Sequence, residues 1–235
     1  MNYYKFTDKG MASRLKALHD ARDTLARKDI SKLHVKLQPG NSKTGRSCWT
    51  VSLLPVIDCG KGCHVCKNSC YDLRNDCRFD ATIKDRAKNS IIHKQDPQRY
   101  WTEIDMLVKA NYAEQVRINV GGDLTDEDFA YVAKLGRQNK QTDFLFFTKN
   151  YDGINTFLDH HRFPKNVKPI LSAWLGLELK NPHNLPVSHV LFPDGTTTAP
   201  EFGAYFCQGN CSRCHFEREG CWALKKGENV LFEAH

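Results

Sequence analysis

Strand-like and helix-like patterns alternate along most of this 235-residue chain, which predicts an α/β fold around a mostly parallel sheet. Two observations carry that prediction. Short apolar or alternating runs are bounded by turn residues, and the segments between them have helical period. An apolar content of 40% supplies a core and, with 26% charged residues, excludes a disordered chain. The length fits one domain spanning 1–235.

The elements follow in order. Ser13 to Lys28 places Leu15, Leu18 and Leu25 near helical spacing among charges, an amphipathic helix. Gln38 to Gly45 is turn chemistry, and Cys48 to Ile57 reads as a strand that runs into a cysteine-rich loop. Ala81 to Glu114 is helical with a break near Asp96 and Pro97, and Tyr100, Ile104, Leu107 and Val108 form its apolar stripe. Gln115 to Val120 is a short strand closed by Gly121 and Gly122. Asp126 to Arg137 is a helix, Asp143 to Thr148 a buried strand and Gly153 to His161 another helix. Val167 to Leu175 and Pro186 to Phe192 are further strands.

The 34 Lys and Arg against 27 Asp and Glu give a net charge of +7, spread along the chain. A solvated basic surface is the simple reading, with nucleic acid as a weaker alternative partner. No run approaches the roughly 18 to 20 apolar residues of a bilayer span. Met1 to Lys16 is too polar for a secretory signal, so no membrane partner and a cytoplasmic location are expected. No phosphate loop, dinucleotide fingerprint or serine–histidine triad is present, and no catalytic residue is assigned.

Eight of the ten cysteines fall in two short segments: Cys59, Cys63, Cys66 and Cys70, then Cys207, Cys211, Cys214 and Cys221. In a reducing compartment this clustering points to metal or iron–sulfur ligation rather than disulfides. Cys48 and Cys77 lack a partner at ligand spacing and read as small buried hydrophobes. The first set contains C-x3-C-x2-C after a strand, a loop that can hold three irons of a 4Fe–4S cluster and leave one open. The second is C-x3-C-x2-C-x6-C, which can complete either one tetrahedral zinc or one 4Fe–4S cluster, or both sets can converge on one cluster. His215 adjoins its third cysteine.

The first loop, followed by Gly121, Gly122 and Asp123 at the end of the next strand, resembles the radical S-adenosylmethionine superfamily. That resemblance implies an incomplete parallel (βα) barrel, with Asp123 and the two glycines binding the cofactor's amino group. It also implies an open cluster iron on Cys59, Cys63 and Cys66, and a reductant protein as partner. On it the chain divides into a helical extension (1–47), a partial α/β barrel (48–195) and a cysteine-rich cap (196–235). Lys149 and Ser172 fall where such barrels line their pocket.

Nearly the whole chain is also similar to the phage "gene product eighty-eight" family. The similarity runs through Ser52 to Pro55, then Cys59, Cys66, Cys70 and Tyr71, and ends on Cys207, Cys211, Cys214, Cys221 and Trp222. It implies a host-cell cytoplasmic location and makes Cys70, not Cys63, the third ligand of the first set. Three functions stand open at this point. They are an iron–sulfur protein binding S-adenosylmethionine, an iron–sulfur electron-transfer or sensing protein, and a zinc-stapled nucleic-acid-binding module. For Asp123 the simple alternative is a cap on the following helix.

Overall fold

The computed structural model describes residues 5–41, 44–75, 77–200 and 203–234. Helix α1 (Asp8–Ala26) begins earlier than the apolar spacing implies, because Thr7 Oγ1 accepts from the Gly10 N–H at 3.1 Å and caps it. Met11, Leu18 and Leu25 form its buried stripe, which packs on α3 (Asp80–Gln95). The break at Asp96 is where expected. Asp96 Oδ1 accepts from the Arg99 N–H at 2.9 Å, and Pro97 opens α4 (Pro97–Ala110) at a position that has no use for an N–H.

Strands β1 (Cys48–Val51), β2 (Gln115–Ile118), β3 (Asp143–Thr148), β4 (Val167–Ser172), β5 (Val187–Leu191), β6 (Ala204–Phe206) and β7 (Asn229–Glu233) form one sheet. Their order is β1-β2-β3-β4-β5-β7-β6, and every neighbouring pair is parallel. Parallel neighbours require crossovers. A short helix α2 (Tyr71–Asn75), α3 and α4 lie in the first crossover, α5 (Asp128–Gln138) in the second and α6 (Tyr151–His160) in the third. The α/β class and the parallel sheet are therefore as the sequence predicts.

Several boundaries differ. The strand expected over Cys48 to Ile57 ends at Val51. Leu53 and Leu54 are buried, but the chain there turns instead of extending: the Leu54 N–H donates to Asp58 Oδ2 at 2.9 Å and the Asp58 N–H to the Leu54 carbonyl at 3.0 Å. An apolar run reports burial, and a buried turn satisfies it as well as a strand. The strand expected to reach Leu175 stops at Ser172, and α6 starts at Tyr151 because Asn150 accepts from the Gly153 N–H at 3.1 Å. Strands β6 and β7 extend the sheet beyond the expected elements.

The two faces of the sheet are covered differently. On one, Val51, Val116, Ile118, Phe144, Phe146 and Leu171 join the helices in the main core. On the other, Cys48, Leu145 and Ile170 pack with Cys214 and Trp222 of the carboxy-terminal segment in a second, smaller core. Strand register aligns Thr50, Arg117, Leu145 and Lys168 in one row across this second face. The helices from α1 to α6 therefore clothe one side, and the cysteine-rich segment covers part of the other. The amino-terminal segment protects the β1 edge through an antiparallel bridge between Gln38 and Thr50.

Candidate functional site

The first cysteine loop follows β1 as consecutive 3-10 turns (Lys61–Val65 and Lys67–Ser69), leading into α2. Its four thiols, Cys59, Cys63, Cys66 and Cys70, lie close enough for each to feel the others' charge. Two of the sulfurs accept backbone N–H groups, Cys59 from Val56 at 3.1 Å and Cys70 from Leu73 at 3.4 Å. Such bonds stabilise sulfur as an anion. The Cys63 contact and burial hold Cys59 well above the usual thiol range, while the same contact lowers Cys63. Burial also raises Cys66, against the Lys149 ammonium. Cys70 is pushed up to about 12, by burial first and then by Asp72. Among the described residues, no three His, Cys, Asp or Glu side chains are arranged to hold a metal ion. The thiols lie within electrostatic reach of one another without forming a closed cage.

The Gly121–Gly122–Asp123 turn lies against this loop, and the Asp123 N–H donates to the Asp58 carbonyl at 2.8 Å, one residue before Cys59. A side chain at Gly121 would run into Asp72 and Arg86. At Gly122, where φ is +84°, a Cβ would come within 2.7 Å of the Leu53 Cβ. Both glycines thus permit close packing of the turn on its neighbours. Asp123 is not a helix cap: α5 starts five residues later, and its capping position Glu127 makes no side-chain bond. Instead Asp123 Oδ1 accepts from Thr148 Oγ1 and the Leu124 N–H, both at 2.7 Å, and Oδ2 accepts from the Lys149 N–H at 2.9 Å. Burial raises the pKa of this carboxyl, against those donors. Its charge reaches Cys59 and Cys66.

A cavity of about 280 Å³ is lined by Cys59, Cys66 and Cys70 together with Gly121, Lys149 and Trp174. Its walls come from the loops after β1, β2, β3 and β4. It therefore opens at the carboxyl ends of parallel strands, where α/β sheets place their ligands. Lys149 Nζ lies 5.6 Å from the centre of the Trp174 ring, a cation–π contact at the rim.

The second cysteine set lies toward the other end of the same face. Cys207 follows β6, Cys211 and Cys214 are on α7 (Cys211–Phe216), and Cys221 is in the turn Gly220–Trp222. Charges on Cys207, Cys211 and Cys214 all reach Cys221, whose pKa is raised first by burial. The Gly209 N–H donates to Cys207 Sγ at 3.4 Å. Trp222 Nε1 donates to the Cys211 carbonyl at 3.0 Å, and His215 Nε2 lies 2.9 Å from Asp143 Oδ2, which ties the segment to the start of β3.

Two participants were not expected. Cys48 is buried, as the sequence implies, but it is not isolated: it hydrogen-bonds Cys211, which with burial raises it far above the usual thiol range. Arg117 lies between the two cysteine sets. Its Nη1 is 3.5 Å from Cys211 Sγ and its Cζ is 5.2 Å from the Phe147 ring centre. Burial works against its charge, but Cys211, Tyr71, Cys48 and Cys221 keep it firmly protonated. The signal for Arg117 was a lone cation within the apolar run QVRINV, on the face that register turns toward the cysteines.

A family model described as Gene product 88 matches residues 16–175. The match includes the first cysteine loop and the Gly121–Gly122–Asp123 turn. It ends before the second cysteine set and so is shorter than the whole-chain resemblance expected from the sequence. No curated protein and no solved structure matches the chain. No helix among the described residues is long and apolar enough to cross a membrane.

Proposed function

The chain belongs to the Gene product 88 family of phage proteins, and on that premise we propose that it is an iron–sulfur protein. The observation that carries the reading is the convergence of Cys59, Cys63, Cys66 and Cys70 at the carboxyl ends of a parallel sheet. The donor set fits a 4Fe–4S cluster: soft sulfur ligands, N–H donors to two of the sulfurs, and the Lys149 cation to offset negative charge. Bound there, a cluster would supply one-electron chemistry and draw on a reductant partner. The chain would hold it, limit solvent access and set its charge environment.

Cys70 lies within electrostatic reach of Cys59, Cys63 and Cys66, which favours a four-thiolate site and an electron-transfer or sensing role. The second reading, S-adenosylmethionine at an open iron held by Cys59, Cys63 and Cys66, draws on the Asp123 carboxylate beside Cys59 and Cys66. The second cysteine set is proposed as another soft-metal site, for iron–sulfur or zinc.

Anaerobic purification followed by iron, acid-labile sulfide and zinc analysis tests the proposal. The expected protein is brown, with about four irons per occupied set. Zinc in stoichiometric amount without sulfide would instead decide for the zinc-stapled module.

A further inference from the structure

We propose that a polar cavity beside the first cysteine loop binds a small organic phosphate of nucleotide size. The cavity, about 550 Å³, lies between the amino-terminal segment, β1, β2 and the start of α3. Arg78, Arg86 and Arg117 line it, and no Asp, Glu or Lys is among its lining residues. Arg86 is paired with Asp72 and Arg117 Nη1 donates to Cys211 Sγ at 3.5 Å, so Arg78 is the guanidinium left for a ligand, with the Arg117 charge beside it.

Arg78 pairs with no carboxylate among the described residues. Its Cζ lies 4.7 Å from the ring centre of Phe79, which is 54% exposed at the rim. A guanidinium and an aromatic ring held together offer an anion contact and a flat surface for a ring to stack on. The hydroxyls of Thr50 and Thr82 and the amide of Asn75 also line the cavity, and make no side-chain hydrogen bond among the described residues. Neutral donors and acceptors beside a guanidinium suit a phosphate attached to a hydroxyl-rich body, whereas a bare ion would leave most of this lining unused.

The cavity shares Tyr71, Arg117 and Val120 with the cavity of the first thiol set. A ligand seated in it therefore borders that set, as a substrate or an effector would. The phosphate site does not depend on the thiols carrying a cluster, because none of its lining residues is a cysteine.

Titration calorimetry on the protein as purified, with metal content measured on the same sample, tests this. The probes are adenosine monophosphate, ribose 5-phosphate, inorganic phosphate and adenosine. The two organic phosphates should bind, with inorganic phosphate and adenosine each about tenfold weaker or more. Arg78→Gln should weaken adenosine monophosphate about tenfold, with metal content and melting temperature unchanged, because the side chain is exposed and holds no structural ion pair. Thr82→Val should weaken it by a smaller factor. Equal binding of adenosine and its phosphate, no effect of Arg78→Gln, or no saturable binding of any probe would overturn the proposal. Each of those results leaves the iron and sulfide analysis to decide the cluster separately.

Discussion

Asp128 shows how much one buried carboxylate can organise. It accepts from the Thr125 N–H at 2.8 Å, Thr125 Oγ1 at 2.9 Å and Trp101 Nε1 at 2.9 Å, and lies 2.8 Å from His93 Nε2. Burial alone would raise its pKa, but the His93 contact and the other donors outweigh it and leave the carboxyl below its usual value. The sign follows. A depressed folded-state value gives stability that is fully present above the unfolded value of about 3.9 and lost as pH falls through the folded one. Asp128→Asn should therefore destabilise the protein at neutral pH by roughly 3–5 kcal/mol, and flatten the acid limb of its stability curve. Urea melts between pH 3 and pH 7 measure both effects, and a variant with the parent's midpoint at neutral pH would refute the assignment. None of this was legible in the sequence. Asp128 reads there as one of several acids at the start of a helix, while His93 and Trp101 come from two other helices.

At the scale of the element, the strand–helix alternation from Gln115 to Leu191 was readable because each unit is short and complete. Asp143–Thr148 is a strand with the bounds its apolar run gives, and the two helices around Asp96 and Pro97 divide where their turn chemistry says. The carboxy-terminal elements were not readable in the same way. Strand β6 has three residues and little apolar pattern, so only its pairing with β7 defines it. The cysteines there announce themselves as ligands, but their packing partners are set by tertiary contact: Cys214 and Trp222 cover Cys48, Leu145 and Ile170. If that set holds metal, its binding free energy is also folding free energy. Cys214→Ser and Cys221→Ser should then each lower the melting temperature and release metal from this set. The same melt in the presence of a strong chelator should bring the parent down to the variants. Variants that match the parent in both melting temperature and metal content would show that the segment is held by packing alone.

Across the whole molecule, the two cysteine sets, far apart in sequence, share one face of a single sheet, with Arg117 between them. Spacing alone identified both sets. It could not order them in space, because their relation depends on the parallel register that aligns Arg117 with Thr50 and Leu145. Nor could it choose between Cys63 and Cys70, since each completes a three-cysteine pattern with Cys59 and Cys66. In the folded chain all four lie within electrostatic reach of one another, and the choice becomes a matter of coordination. If Cys70 ligates a cluster together with Cys59, Cys63 and Cys66, no iron is open, and S-adenosylmethionine added to the reduced protein should leave its electron paramagnetic resonance spectrum unchanged. Removing that ligand in Cys70→Ala should free a position for the cofactor whose ammonium Asp123 can accept, since among the described residues its Oδ2 accepts only the Lys149 N–H. The variant's spectrum should then shift with the cofactor, and the shift should weaken in Cys70→Ala with Asp123→Asn. Asparagine keeps an acceptor for Thr148 but loses the charge. A shift already present in the parent would instead place Cys70 off the cluster and favour cofactor binding as the native role.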